Sequence, residues 1–436
     1  MSVNILFISN NCNCINLTRI LKEEGHAVKL YIKDKYLKNC FDNIVDKTKS
    51  WRKELNWVGK DGLIVFDDVG WGKDQDKLRK KGYTVFGGSD IGEKLEVERE
   101  FGQKIFAECG LKTVPLKDFT DMEEAVIFVK NNPAPWVIKQ NDHGTKFLNH
   151  VGYFDDGRDV ISILKNYLQN KNINQEKITL HKRIYGIEIG VGRYFNGKDW
   201  VGPIEMNVEH TRFFPGDLGT TTTEMGTVAW YDEDENNKLF KDILNKLKPY
   251  LQKIDFRGDF EINCIVNESG AYPLEATARF GTPIIHLQSE LHLSPWGEFL
   301  KAVASGQKYD LKFKKGYGVV LLMAVPPFPY SKRMKKNIFY GVNINFDNLL
   351  EEDKKHIHFE EVAMRVGKYE GQLFIPNNEG YIAYTTGEAK TISEARERAL
   401  GIAEKVIIPK VFYRNDIGKK FEEEDMAKLK KWGYLG

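Results

Sequence analysis

RGDFEINCIVNESGAYPLEATARFGTP, residues 257–283, decides how this chain is read. Two alternating stretches, 260–266 and 271–277, flank Asn-Glu-Ser-Gly, which is the composition of a β-hairpin turn. Side chains along a strand point to opposite faces in turn. Glu261 and Asn263 therefore share one face, and Phe260, Ile262 and Cys264 take the other. Glu275, Thr277 and Arg279 likewise share a face, opposite Ala276 and Ala278. A five-residue loop, 267–271, sets Asn263 across from Glu275 and Glu261 across from Thr277. A four-residue loop sends the polar groups to opposite faces, so register decides the outcome.

Glutamate and arginine are poor strand formers, and either is costly to bury alone. Two carboxylates a few ångströms apart repel and cannot both stay ionised cheaply in a dry site. A divalent cation resolves that conflict. Magnesium takes oxygen ligands, few of them from protein, and completes its shell with phosphates and water. Arg279, on the same face, suits those phosphates because a guanidinium fork binds them bidentately. The plainer reading of the same residues is a solvated polar face with a salt bridge.

Working outward, residues 4–8, 27–32, 63–66 and 84–86 read as short buried strands, with helical spacing at 17–24 and 74–81. Alternation of strand and helix implies a parallel α/β sheet, ending near Gly87-Gly88-Ser89. A helix follows over 94–109, then strands at 136–139, 178–181 and 188–195, and an amphipathic helix over 235–251. Strands dominate from about Leu311, at 318–325, 373–375 and 380–386, before a helix at 393–405. The 436 residues exceed one ordinary core. The expected class is α/β and α+β multidomain: an N-terminal α/β domain (1–92), a central domain (93–310, with a subdomain at about 113–195) and a C-terminal β-rich domain (311–436).

A net charge of +2 argues against a broad nucleic-acid surface. No apolar run approaches the roughly 20 residues of a membrane helix, and the N-terminus does not read as a signal peptide. Five cysteines at irregular spacing form no disulfide framework, and the Cys12-x-Cys14 pair lacks the second pair of a zinc site. A reducing cytoplasm is the expected home. No Ser, Cys or His triad is evident, and His286 reads as a packed core histidine.

The order strand-Glu, turn, Glu-x-x-x-Arg resembles the metal-binding end of the ATP-grasp superfamily. More closely, the chain resembles the phosphoribosylamine–glycine ligase family of purine biosynthesis, from about Asp61 onward. Residues 110–120 with Trp136-Val-Ile-Lys139 are similar to the family's entry to the ATP clamp. Glu209-His-Thr-Arg212, Gly216-Asp-Leu-Gly219 and Glu224-Met-Gly226 are similar to its substrate-side segment. Residues 387–399 and Tyr413-Arg-Asn-Asp-Ile-Gly418 look like its C-terminal domain.

The resemblance implies an ATP-grasp fold that uses ATP with Mg2+ or Mn2+. It implies that Lys139 touches the α- and β-phosphates and that Arg99 stands where a first ATP-binding lysine is expected. It further implies Lys146 as a loop lysine, Glu188 near the ribose, Glu261, Glu275 and Thr277 on the metal, and Arg279 on the γ-phosphate. Asp67, Asp68, Asp217, Thr222 and Glu224 fall on the substrate side. A lid at 142–148 would exclude water.

The departures from the family pattern lie mostly on the acceptor side. Thr277 replaces an asparagine, and Asn10-Asn-Cys-Asn-Cys-Ile15 replaces a glycine-rich start. Phe66-Asp-Asp-Val-Gly-Trp-Gly72 brings two aspartates where a sugar phosphate would bind, which suits a cationic or hydroxylated partner better. The implied activity is an ATP-dependent carboxylate–amine ligase acting on a small amino acid and an amine, as a monomer or small homo-oligomer. The alternatives are the same chemistry on another pair, or a nucleotide-binding homologue without turnover.

Overall fold

The computed structural model describes residues 2–140, 149–170, 177–330, 338–377 and 379–436. The first ninety residues form a parallel five-stranded sheet of β1 (Asn4–Ser9), β2 (Ala27–Ile32), β3 (Asp46–Lys47), β4 (Leu63–Phe66) and β5 (Val85–Phe86), in the order β3-β2-β1-β4-β5. Ile5, Phe7, Leu30, Leu63 and Val65 are fully buried, as continuous apolar strands covered on both faces should be. Strand order reverses between β1 and β4, and the crevice beyond their carboxyl ends is where such sheets bind ligands. Asn10, Asn11, Asp67 and Asp68 stand at those ends.

The expected single helix over 94–109 is two, Asp90–Val97 and Arg99–Glu108, broken at Glu98, whose backbone is not helical (φ −113°, ψ 86°). A small antiparallel sheet of β6 (Leu116–Phe119), β7 (Trp136–Gln140), β8 (His150–Val151) and β9 (Ile178–Lys182) follows, in the order β6-β9-β7-β8.

The largest sheet is antiparallel. It holds β10 (Ile187–Asn196) and β11 (Trp200–Glu209); a two-stranded finger of β12 (Arg212–Phe214) and β13 (Leu218–Thr221) then projects from the chain. Next come β14 (Gly226–Asp232), β15 (Arg257–Asn267), β16 (Gly270–Thr277) and β17 (Tyr317–Ala324). The order is β16-β15-β10-β11-β14-β17, extended by Tyr381–Ala389 and Ile357–Phe359. The sheet therefore runs across position 310/311, and the C-terminal strands complete it rather than stand apart. The helix read over 235–251 begins later, as a π-turn at Phe240–Leu244 that continues as Asn245–Lys253.

The hairpin reaches its expected pairing by another route. The turn is tight, with Asn267 paired to Gly270, and not a five-residue loop. Carried on unbroken, that register would pair Asn263 with Leu274 and turn Glu275 into the core. Leu274 instead forms a bulge, so that Cys264 faces Pro273 while Asn263 faces Glu275 and Glu261 faces Thr277. Burial follows the slip: Ala271 and Pro273 are inward before it, and Ala276 and Ala278 after it.

Arg414 ties the C-terminal segment to the finger. Its guanidinium, 2% exposed, donates to Asp416 (2.8 Å) and to Asp217 (3.0 Å). Removing it leaves two carboxylates facing each other without a cation, so Arg414→Ala should cost about 2–3 kcal/mol in urea unfolding, with Arg414→Lys recovering part of the loss.

Candidate active site

One face of the large sheet is apolar; the other carries acids. The register lines up Glu261 with Gly192 and Glu205, and Asn263 with Gly190 and Asn207, across β15, β10 and β11. Thr277 and Glu275 extend those two rows onto β16, and Glu209 follows Asn207 along β11. Ile262, Cys264, Ile189, Val191 and Met206 take the opposite face, in the main core. Glycine is required between the rows. A Cβ on Gly190 would lie 2.4 Å from Asn207 Oδ1 and 2.5 Å from Glu261 Oε1. Its absence lets Asn207 Nδ2 donate to Glu261 Oε1 across the strand at 2.9 Å.

Burial makes this face electrostatically expensive. Desolvation pushes Glu261 up to about 8, with Glu209 beside it adding to the effect. Glu205 is held well above the usual carboxylate range by burial and then by Glu261. Burial also carries Asp259 to about 7. Glu205 Oε1, Asn207 Oδ1 and Asn263 Oδ1 are buried acceptors without a hydrogen-bond donor. Oxygen acceptors and like charges gathered in this way are the donor set of a hard cation. Among the described residues no three acids, histidines or cysteines stand close enough to form a metal cage by themselves.

Two recesses open on this face. A small cavity is lined by Glu209, Glu224, Glu261, Thr277, Arg279 and Thr282. A narrow cleft beside it is lined by Arg99, Lys139, His181, Leu274 and Glu275. In the cleft Arg99 donates to Glu275 at 2.5 Å. Burial, with Lys139 and Arg99 nearby, depresses His181 to about 3, so it stays neutral there. Glu261 and Glu275 thus share a face in diagonal register, one held by Asn207 and the other by Arg99.

Arg279 is bracketed by acids. Its Nε lies 3.2 Å from Glu96 and 3.8 Å from Asp68, and one Nη donates to the Phe280 carbonyl. Burial alone would lower the guanidinium, but Glu96 and then Asp68 outweigh it and hold Arg279 above its ordinary range. Asp68 also accepts from Asn11 and from the Val69 amide. Asp67 is fully buried behind it, raised by burial and then by Asp68.

Other sequence-derived positions fall variously. Glu224 lines the small cavity, and Thr227 donates to it. Thr222 is buried beside it and bonds the Thr211 carbonyl. Asp217 instead holds Arg414, from the turn that joins the two finger strands. Glu188 is exposed at the start of β10, on the acidic face. Lys146 and the lid at 142–148 lie outside the described residues. Cys12 and Cys14 are buried free thiols, with Cys14 Sγ against the Thr282 hydroxyl. His286 packs on the rings of Tyr384 and His358. Glu96, Glu205, Asn207 and Asp259 were not expected. The alternating Glu205-x-Asn207-x-Glu209 on one strand is the signal that would have found part of this set.

Residues 97–284 match the family model described as phosphoribosylglycinamide synthetase, ATP-grasp (A) domain. A phosphoribosylamine–glycine ligase of Helicobacter pylori is 27% identical over 358 residues, 79% of this chain and 78% of that protein. One from Fusobacterium nucleatum is 24% identical over 404 residues, 88% of this chain and 90% of that protein. The crystal structure of phosphoribosylamine–glycine ligase from Thermotoga maritima superposes with a TM-score of 0.72 at 20% identity, covering 95% of this chain and all of that one. A biotin carboxylase from Campylobacter jejuni superposes with a TM-score of 0.65 at 12% identity, covering 98% of each chain. The fold is the ATP-grasp fold.

Two outcomes follow. Gly190→Ala forces Asn207 and Glu261 apart and should destabilise the protein by about 1–3 kcal/mol in urea unfolding. Glu261 is easier to protonate folded than unfolded, so the native state binds more protons between its ordinary range and about 8. Stability should therefore fall as pH rises through that window, and Glu261→Gln should flatten the fall in thermal melts.

Proposed function

We infer that this ATP-grasp carbon–nitrogen ligase, similar in sequence and fold to the phosphoribosylamine–glycine ligases, joins a small carboxylate to an amine at the expense of ATP. The observation that supports this most is the pairing of a cation-lined cleft with an acid-lined cavity on one sheet face, with Arg279 in the lining of the cavity. Glu275 in the cleft and Glu261 in the cavity would meet a divalent ion where polyphosphate passes from one recess to the other.

Lys139 and Arg99 would receive the α- and β-phosphates in the cleft, and Glu188 the ribose hydroxyls. Lys146 would serve the phosphate loop. Glu261 and Glu275, with Thr277 and the Asn263 amide oxygen nearby, would hold Mg2+ or Mn2+, which supplies charge neutralisation on the phosphates. Glu275 would exchange its bond to Arg99 for that role, leaving the guanidinium to phosphate. Arg279 would steady charge on the transferring group.

The reaction fits in two steps. A carboxylate oxygen attacks the γ-phosphorus, the bond to the β–γ bridging oxygen breaks, and ADP leaves. The amine then attacks the acyl phosphate carbon, inorganic phosphate departs, and the amine gives up a proton. Positioning and charge neutralisation suffice, with no protein nucleophile.

Asp67, Asp68, Glu224 and Thr222 would form the acceptor side, with Asp217 reaching it only through Arg414. Glycine and phosphoribosylamine are the first pair to consider. Asp67 and Asp68 at the switch-point crevice favour a second pair, whose amine carries a cation or hydroxyls in place of a phosphate. The domains at 1–92, 93–310 and 311–436 would share this centre, the last two through one continuous sheet. Five free cysteines, and the absence of any membrane-crossing helix among the described residues, fit the cytoplasm.

The test is ADP release over a panel of amino acids and amines. Turnover on a carboxylate–amine pair is expected, falling about 100-fold or more in Glu275→Gln. ATP binding without turnover on any pair would leave a nucleotide-binding protein, and full activity in Glu275→Gln would remove it from the metal.

A further inference from the structure

Arg279 stands between two carboxylates of different character. Glu96, on the helix Asp90–Val97, is 7% exposed and held from both sides: it accepts from the Ala278 amide at 2.8 Å and from Arg279 Nε at 3.2 Å. It is bound to the backbone of the very strand end that carries the arginine. Asp68 is 16% exposed, lies farther off at 3.8 Å, and divides itself between Arg279, Asn11 and the Val69 amide. It belongs to the loop after β4, at the crevice of the N-terminal sheet. One carboxylate is thus a fixture of the phosphate side, and the other a looser contact from the acceptor side.

A single guanidinium cannot place its full charge on a transferring phosphoryl group while a carboxylate from the other half-site shares it. Buried charge pairs exchange partners only when a replacement arrives. A ligand group that bonds Asp68 would supply one, and would leave Arg279 oriented by Glu96 alone.

We propose that Glu96 and Asp68 are opposed positioning residues for Arg279: Glu96 holds it at the phosphate side, and Asp68 restrains it until the acceptor crevice is filled. This rests on the reading of Arg279 as the cation that serves the γ-phosphate. The arrangement keeps ATP from being spent on water. In that uncoupled reaction a water oxygen attacks the γ-phosphorus, the bond to the bridging oxygen breaks, ADP departs, and the water proton goes to solvent.

The experiment is ADP release from Mg2+–ATP alone, with no amino acid or amine, by acid quench of the full-length protein. Asp68→Asn is expected to raise this acceptor-free hydrolysis about tenfold. Glu96→Gln is expected to lower it about tenfold with ATP affinity within about twofold, and Glu96→Asp to recover part of the rate. A gain of hydrolysis cannot come from partial unfolding, so Asp68→Asn carries the test even if Glu96→Gln does not fold. Unchanged or lower hydrolysis in Asp68→Asn overturns the proposal. If Asp68→Asn gains hydrolysis and adding Arg279→Ala leaves the gain intact, the assignment of Arg279 to the phosphate is what fails.

Discussion

Like charges buried on one face of a sheet are the constraint around which the molecule is arranged. Glu205, Glu261 and Asp259 are nearly inaccessible, and each is pushed upward by its own burial, Glu205 and Glu261 also by neighbouring acids. A stable fold does not accumulate such groups without a counter-charge that arrives from outside. Everything nearby serves that accumulation. Gly190 and Gly192 open the space between the acid-bearing strands, the Leu274 bulge turns Glu275 to the acid face, and Arg99 and Arg279 stand at the edges as cations.

The rest of the architecture brings a second half-site to that face. The parallel N-terminal sheet ends its β4 strand in Asp67-Asp68, and the loop that follows reaches Arg279. The finger and the C-terminal segment lock to each other through Arg414, behind the acceptor side. The C-terminal strands extend the sheet that carries the acids, so the face gains a continuous hydrogen-bonded support. Pre-organisation of this kind is what a ligase without a protein nucleophile depends on.

Much of this was legible in the residues. Alternation in 257–279 gave the shared face of Glu261 and Thr277, and the alternation of strand and helix gave the parallel sheet. The route to the hairpin register was not legible, because a tight turn plus a bulge and a five-residue loop yield the same pairing beyond Leu274. The break at Glu98 was hidden because both flanking segments favour helix and only backbone geometry separates them. Glu96 could not be found from a strand pattern, since it reaches Arg279 from a helix far away in sequence. Asp217 carries the same lesson: a polar residue in a substrate-like segment is consumed by Arg414, and such pairing across about two hundred positions is invisible locally.

The most direct measurement is the number of protons released when Mg2+–ADP binds near neutral pH, by calorimetry in buffers of differing ionisation enthalpy. A counter-charge entering the acid face ionises carboxyls that burial had kept protonated, so net release is predicted, diminished in Glu261→Gln. Tight binding with no proton released, or with release unchanged in Glu261→Gln, would contradict the account.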